Sequence, residues 1–323
     1  MKLHQKFGLI LSTISLLSFM SYANAETKVI ASIKPLHSLV SYVMDGVGTP
    51  GILVDGSSSP HTFQLKPSHA TMLQEADIVF WIGKDLESFL ETPLESIAAN
   101  SRHITLMESD EIELLKFREK NIFGGHDDHD DHGDEHDEHA DEHGDEHDDH
   151  HDGHAHGEHD IHFWLDPEIA KTIVKIVTRE LSEIDPSNAS TYESNSTKAI
   201  NEIDQLISDT KSKINSDASY VVFHDAYQYF EKRFGVEVVG ALTVNPEVLP
   251  GAKQLSEIRE VIEHENINCL FSEPQFNPSI AETIAKDTGI KAAVLDPLGA
   301  ELNPGKDLYF DLIGNIASSF ESC

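Results

Sequence analysis

Short apolar runs alternate with stretches of helical periodicity in two regions of the chain. In the first region the pattern predicts strands at 28–32, 51–54 and 77–82 and helices at 36–45 and 67–76. In the second it predicts strands at 220–223, 236–242, 268–271 and 290–295 and helices at 226–234, 252–265 and 278–287. This βαβα order predicts two α/β lobes with mainly parallel sheets.

A long amphipathic stretch separates the two regions. Asp166 and Pro167 form a favourable N-cap and first-turn pair, and apolar residues then recur every three to four positions. We therefore expect a single helix over 166–185 that joins an N-terminal lobe, 26–165, to a C-terminal lobe, 186–323. A second helical stretch, at about 186–214, begins the C-terminal lobe.

The first 25 residues have the pattern of a secretory signal peptide. A basic start is followed by an apolar run of 14 residues, which ends before the A-x-A motif at 23–25. No cysteine follows for a lipid anchor, and no later run has the roughly 20 apolar residues that a membrane span needs. We expect a free periplasmic protein without direct membrane insertion.

The charge of the chain limits its partners. Basic residues number 23 and acidic residues 57, which gives a formal net charge of −34. Such a chain is not expected to bind nucleic acid or anionic lipid, so its ligand should be cationic or neutral. Cys269 and Cys323 are the only cysteines, and in an oxidising compartment they are expected to form a disulfide. The alternative is one buried thiol and one frayed terminal thiol.

The segment 126–160 is rich in histidine. It contains 12 histidines and 17 acidic residues without a single lysine or arginine, and it has too little apolar surface to fold. We predict a disordered loop with many weak, exchangeable metal sites, because imidazole and carboxylate both ligate divalent ions. Its histidines are His126, His129, His132, His136, His139, His143, His147, His150, His151, His154, His156 and His159.

Three further histidines and one aspartate lie at the ends of predicted elements. His61 follows the second strand, His162 precedes the joining helix, and His224 and Asp296 each follow a strand of the second lobe. Loops at the carboxyl ends of parallel strands face the ligand cleft of α/β proteins. Three imidazoles with a carboxylate or water form a tetrahedral zinc site, which we predict here. A zinc hydrolase with Glu273 as base would use the same histidines.

Seven segments distributed over the chain resemble the ZnuA-type family of zinc-binding proteins of ABC importers. They are ASIKPL at 31–36, PHTFQLKPS at 60–68, HFWLDPEI at 162–169, VFHDAYQYFEK at 222–232, TVNPE at 243–247, SEPQF at 272–276 and LDPLG at 295–299. The position of the acidic His-rich loop and the terminal cysteine also fit. The resemblance implies two lobes joined by one rigid helix, with metal in the cleft.

The resemblance also implies roles for individual residues. His61, His162 and His224 fall on the ligand positions of the family, and Asp296 falls on a carboxylate that ligates metal in many members. Manganese-type relatives have Glu where this chain has His224, and imidazole there suits zinc. Some zinc-type members have Glu where this chain has Pro60, which leaves Asp296 or water as the fourth group.

We therefore expect a periplasmic protein that captures Zn²⁺ and performs no chemistry. Its expected partners are an inner-membrane ABC permease and the cytoplasmic ATPase of that permease, and we expect it to act as a monomer. One alternative is a manganese- or iron-binding homologue. Another is a zinc buffer or store that acts through the His-rich loop.

Overall fold

The computed structural model describes residues 26–118, 120–122, 157–214, 218–246, 248 and 250–323. The predicted signal peptide and the loop histidines from His126 to His156 lie outside the described residues.

The N-terminal lobe contains a four-stranded sheet of parallel strands in the order β2-β1-β3-β4. The strands and helices follow the predicted alternation, with a helix that begins at Pro67 as proline at a first turn favours. The bounds are β1 Val29–Ile33, α1 Lys34–Val43, β2 Gly51–Val54, α2 Pro67–Glu75, β3 Ile78–Trp81, α3 Glu91–Ser96 and β4 Arg102–Thr105. The elements α3 and β4 had not been predicted.

Two helices follow the His-rich region. The helix α4, Pro167–Ile184, begins where Asp166 accepts a hydrogen bond from the backbone N–H of Glu168. The helix α5, Ala189–Lys213, packs along α4 and α1. The apolar face of α4 is buried, which accounts for the three-to-four-residue spacing in its sequence.

The C-terminal lobe repeats the topology of the first, with parallel strands in the order β6-β5-β7-β8. Its bounds are β5 Ser219–His224, α6 Gln228–Phe234, β6 Glu237–Thr243, α7 Ala252–His264, β7 Ile267–Ser272, α8 Ser279–Thr288, β8 Lys291–Val294 and α9 Leu308–Glu321. The helix α9 had not been predicted. Two parallel sheets with flanking helices confirm the predicted fold class.

One continuous apolar core runs through both lobes. It includes residues of β1 and β3, the buried face of α4, residues of β5 and β7, and the inner face of α9. The indole N–H of Trp164, just before α4, donates to the Pro297 carbonyl, and the Tyr309 hydroxyl of α9 donates to the Trp164 carbonyl. The lobes therefore share a packed interior around the joining helix.

The predicted cysteine pair forms a disulfide. Cys269 of β7 and Cys323, after α9, are bonded with their Cα atoms 5.8 Å apart. The bridge ties the end of the chain to the sheet of the C-terminal lobe. Among the described residues, no helix combines the length and apolar character needed to cross a membrane.

Candidate metal centre

The first predicted ligand, His61, lies in a short 3₁₀ turn, Pro60–Thr62, that follows β2. Pro60 is buried at the start of this turn, where its fixed φ angle restricts the backbone before the histidine. The imidazole of His61 is half-buried and lines a small cavity at the carboxyl edge of both sheets.

The second, His162, lies immediately before the turn that leads into α4, and its side chain is buried. Its Nδ1 atom is 2.8 Å from Oδ1 of Asp160, which also accepts the backbone N–H of His162. Burial would raise the pKa of Asp160, but its hydrogen bonds with His162 outweigh that effect and lower it. An ionised Asp160 accepts a hydrogen bond from Nδ1–H of His162 and leaves the lone pair of Nε2 available to a metal ion.

The third, His224, is the last residue of β5 and is also buried. In this parallel sheet the order of strand addition reverses between β5 and β7, and ligands of open α/β sheets collect at such a point. Glu273 follows β7 across that point, and both of its carboxylate oxygens are 3.1 Å from Nδ1 of His224. Burial opposes the charged imidazole, but Glu273 outweighs it, so the pKa of His224 is raised.

The three imidazoles converge on one point. One nitrogen from each ring lies within 4.8 Å of the others, and the ring centroids are 4.9 to 5.8 Å apart. A tetrahedral zinc ion with Zn–N bonds of about 2.0–2.1 Å needs nitrogens roughly 3.4 Å apart, so a small closure of the rings suffices. The described residues contain no other group of histidine, cysteine and acidic side chains that meets this criterion.

Two orphaned atoms identify the face that a cation would occupy. Nε2 of His162 and Nε2 of His224 are buried and have no hydrogen-bond partner among the described residues. A buried polar atom without a partner is costly, unless a ligand satisfies it. The cavity that these rings line is only about 10 Å³, which excludes anything much larger than one water molecule beside a small ion.

The fourth predicted ligand, Asp296, is already engaged. Its Oδ1 accepts the backbone N–H groups of Leu298 and Gly299 and the side-chain amide of Gln275, and its Oδ2 accepts the N–H of Ala300. The ligand group of three histidines does not include it. Coordination by Asp296 stays a prediction.

The predicted disordered loop, 126–160, includes four residues at its carboxyl end that the structure places. Residues 157–160 are ordered, with Lys116 and His159 in an antiparallel bridge and Asp160 buried. Asp160 donates its backbone N–H to the Leu115 carbonyl. Composition concealed this because Asp160 ends a long acidic run, yet its place two residues before His162 was a usable signal.

A charged network holds the part of the chain that precedes the His-rich region. Arg118 forms ion pairs with Asp225, next to His224, and with Glu231 of α6. Burial raises the pKa of Glu231 to about 7 although Arg118 opposes this shift, and the two carboxylates raise the pKa of Arg118 against the effect of burial. Described residues on both sides of the His-rich region are therefore held close to His162 and His224.

The hydrolase alternative conflicts with two features of this site. Glu273, its proposed base, is buried, and both carboxylate oxygens are within hydrogen-bond distance of Nδ1 of His224. The two cavities that the three imidazoles line measure only about 10 and 20 Å³, which is far too little for a substrate beside the ion. Glu273 is instead placed to orient an imidazole, a role that sequence reasoning did not assign to it.

Known proteins resemble this chain over nearly its whole length. The family "ZnuA: Zinc-uptake complex component A periplasmic" matches residues 29–323. The "High-affinity zinc uptake system protein ZnuA" of Brucella abortus (strain 2308) is 42% identical over 311 residues, which cover 94% of this chain and 93% of the relative. A solved structure, "Crystal structure of ZnuA", has a TM-score of 0.71 at 22% identity and covers 91% of this chain and 99% of its own. The SBP FpvC from Pseudomonas aeruginosa in complex with Mn²⁺ has a TM-score of 0.72 at 19% identity and covers 92% and 98%.

Proposed function

Because the chain belongs to the ZnuA family of periplasmic zinc-uptake components, we propose that His61, His162 and His224 are the side chains that bind its zinc ion. Membership of the family makes the protein the zinc-binding component of an ABC importer, which works with a permease and an ATPase and is not an enzyme. The fourth group is then water or Asp296.

The orphaned Nε2 atoms of His162 and His224 are the observation that carries this assignment. Each ring presents Nε2 to the cavity because a buried carboxylate, Asp160 or Glu273, lies against its Nδ1. Carboxylates in that position are the usual partners of zinc-bound imidazoles, which they orient and make more basic. Three nitrogen ligands also favour zinc over manganese, which prefers oxygen.

Zinc affinity in a chelator competition titration tests the ligand assignment. We expect His61→Ala, His162→Ala and His224→Ala each to weaken the tight site, and any two of them together to abolish it. His264→Ala, on the exposed end of α7, is the matched control and should bind like the parent. Tight binding that survives the loss of two of the three histidines would contradict the proposal.

We also propose that the His-rich region binds further zinc ions weakly and raises the metal concentration near the cleft. The fixed positions of Arg118 and of residues 157–160 beside the site support this role, because they tether the region there. Deletion of 126–156 should remove the weak binding events, leave the tight site unchanged and impair growth only when zinc is very scarce. Loss of the tight site would instead mean that a histidine of the region is a ligand.

We propose further that residues 1–25 are removed on export to the periplasm and that the mature protein acts as a monomer. All three proposed ligands come from one chain, so the site is complete without a second copy. The intact mass of protein from a periplasmic fraction and sedimentation of the zinc-loaded protein test these two points. A retained leader or a zinc-dependent dimer would overturn the corresponding proposal.

A further inference from the structure

Two more residues that line the same cavity as the imidazoles have a buried polar atom without a partner. The atoms are Oγ of Ser59 and Oε1 of Gln275, and neither has a hydrogen-bond partner among the described residues. Ser59 lies two residues before His61, and Gln275 lies two residues after Glu273. Among the described residues, those that line the cavity therefore carry these four unpartnered atoms: two nitrogens suited to a metal and two oxygens able to accept a hydrogen bond.

The orientation of Gln275 follows from its partner. Its Nε2 donates to Oδ1 of Asp296 over 2.9 Å. Because that Oδ1 already accepts two backbone N–H groups and a carboxylate cannot donate, the amide N–H₂ of Gln275 must face Asp296. The amide oxygen is then directed away from Asp296, as a buried acceptor of a residue that lines the cavity.

We propose that a water molecule is the fourth ligand of the zinc ion, and that its two O–H groups donate hydrogen bonds to Oε1 of Gln275 and Oγ of Ser59. This inference rests on the proposed function, since it needs zinc on His61, His162 and His224. A water on zinc uses one lone pair for the metal and becomes a stronger hydrogen-bond donor, so it needs two acceptors. Asp296 then acts as a positioning residue through Gln275.

Asp296 keeps all of its observed contacts in this arrangement. To coordinate zinc directly, its carboxylate would have to give up some of the four hydrogen bonds that it accepts. Its position beside the cavity is instead accounted for by the amide that it orients.

The first test measures zinc affinity by chelator competition in the mature protein. We expect Gln275→Leu and Ser59→Ala each to weaken binding by about tenfold, as is typical for groups that support a metal ligand. The matched controls are Gln205→Leu, whose amide also donates to an aspartate, and Ser182→Ala, whose Oγ is also buried and unpartnered. Both controls should bind zinc like the parent.

A second measurement separates a structural effect from an effect on the ion. The visible absorption of the cobalt-substituted protein reports the ligand field, and we expect its band shape to change in Gln275→Leu and not in Gln205→Leu. The double variant Asp296→Asn/Gln275→Leu should lose no more zinc affinity than the single variant with the larger loss, because the two residues act as one unit. Additive losses would mean that Asp296 coordinates zinc itself.

A crystal structure of the zinc-bound protein identifies the fourth ligand directly. We expect an oxygen of water on zinc within hydrogen-bond distance of Gln275 and Ser59, and an Asp296 carboxylate in that place would overturn the inference. Unchanged affinity and unchanged cobalt spectra in Gln275→Leu and Ser59→Ala would also overturn it. If these two results occur while the histidine variants abolish binding, only the role of Gln275 and Ser59 as acceptors for the water is wrong. If the histidine variants still bind tightly, the proposed function is wrong.

Discussion

Asp160 should contribute strongly to zinc affinity although it is not a proposed ligand. Its Oδ1 is 2.8 Å from Nδ1 of His162, in a buried position, and its Oδ2 accepts the amide of Gln228. Groups that orient a zinc-bound imidazole are worth 10- to 100-fold in affinity, or about 1.4–2.8 kcal/mol. Asp160→Ala removes both the hydrogen bond and the charge, so we expect a loss near 100-fold.

Asp160→Asn separates these two contributions. The asparagine oxygen can still accept a hydrogen bond from Nδ1–H of His162, which keeps the imidazole in the same tautomer. The negative charge that makes the imidazole more basic is lost. We expect a loss of about tenfold, measured by chelator competition at a pH where the parent site is fully formed. The two variants together show how much of the affinity that Asp160 contributes comes from the hydrogen bond and how much comes from the charge.

Asp185→Asn is the matched control for this experiment. Asp185 accepts side-chain hydrogen bonds from Ser187, Asn188 and Tyr192 at the end of α4, away from the cavity. Thermal unfolding of the zinc-free proteins establishes that each variant folds. If folded Asp160→Ala binds zinc as tightly as the parent, then His162 does not depend on Asp160, and the reasoning is refuted.

Three further predictions concern stability. Cys269→Ala opens a bridge between residues 54 positions apart and should lower the free energy of unfolding in urea by about 4 kcal/mol, and a loss below about 1 kcal/mol would contradict this. Burial raises the pKa of Glu87 from 4.5 to about 7, so the folded protein loses stability as pH rises through that window. Glu87→Gln should therefore raise Tm at pH ~8 but not at pH ~4.5. Equal increases of Tm at both pH values would contradict this prediction. Lys34→Met leaves two carbonyls without the ammonium donor and should cost about 1–3 kcal/mol in urea, whereas an unchanged midpoint would show that they find other partners.

Local sequence signals predicted most of the fold. The strand β2 has the predicted bounds, and α2 and α4 begin where Pro67 and Asp166-Pro167 indicate. The strand β4 was not recognised because Arg102–Thr105 has no clear alternation, and it forms through its pairing with β3. These are contacts that a local pattern does not report.

The site could be predicted only in part, for a related reason. His61, His162 and His224 each follow or precede a recognisable element, and topology brings such positions together. The groups that orient them depend on contacts between distant parts of the chain. Glu273 meets His224 across 49 positions, and its place after a strand marks it as a site residue without showing which imidazole it contacts.

The two lobes are fastened to each other on both sides of the cleft, which restricts how zinc can leave. On one side Lys34 of α1 donates to the carbonyls of Ala300 and Leu302. On the other side Asn121, which follows β4 in the N-terminal lobe, donates to two carbonyls of β6. A hinge opening would break these bonds and expose the shared core, at a cost of many kcal/mol. We therefore expect transfer to the permease to begin with displacement of the short turn that carries His61, which removes one nitrogen ligand and leaves the lobes closed.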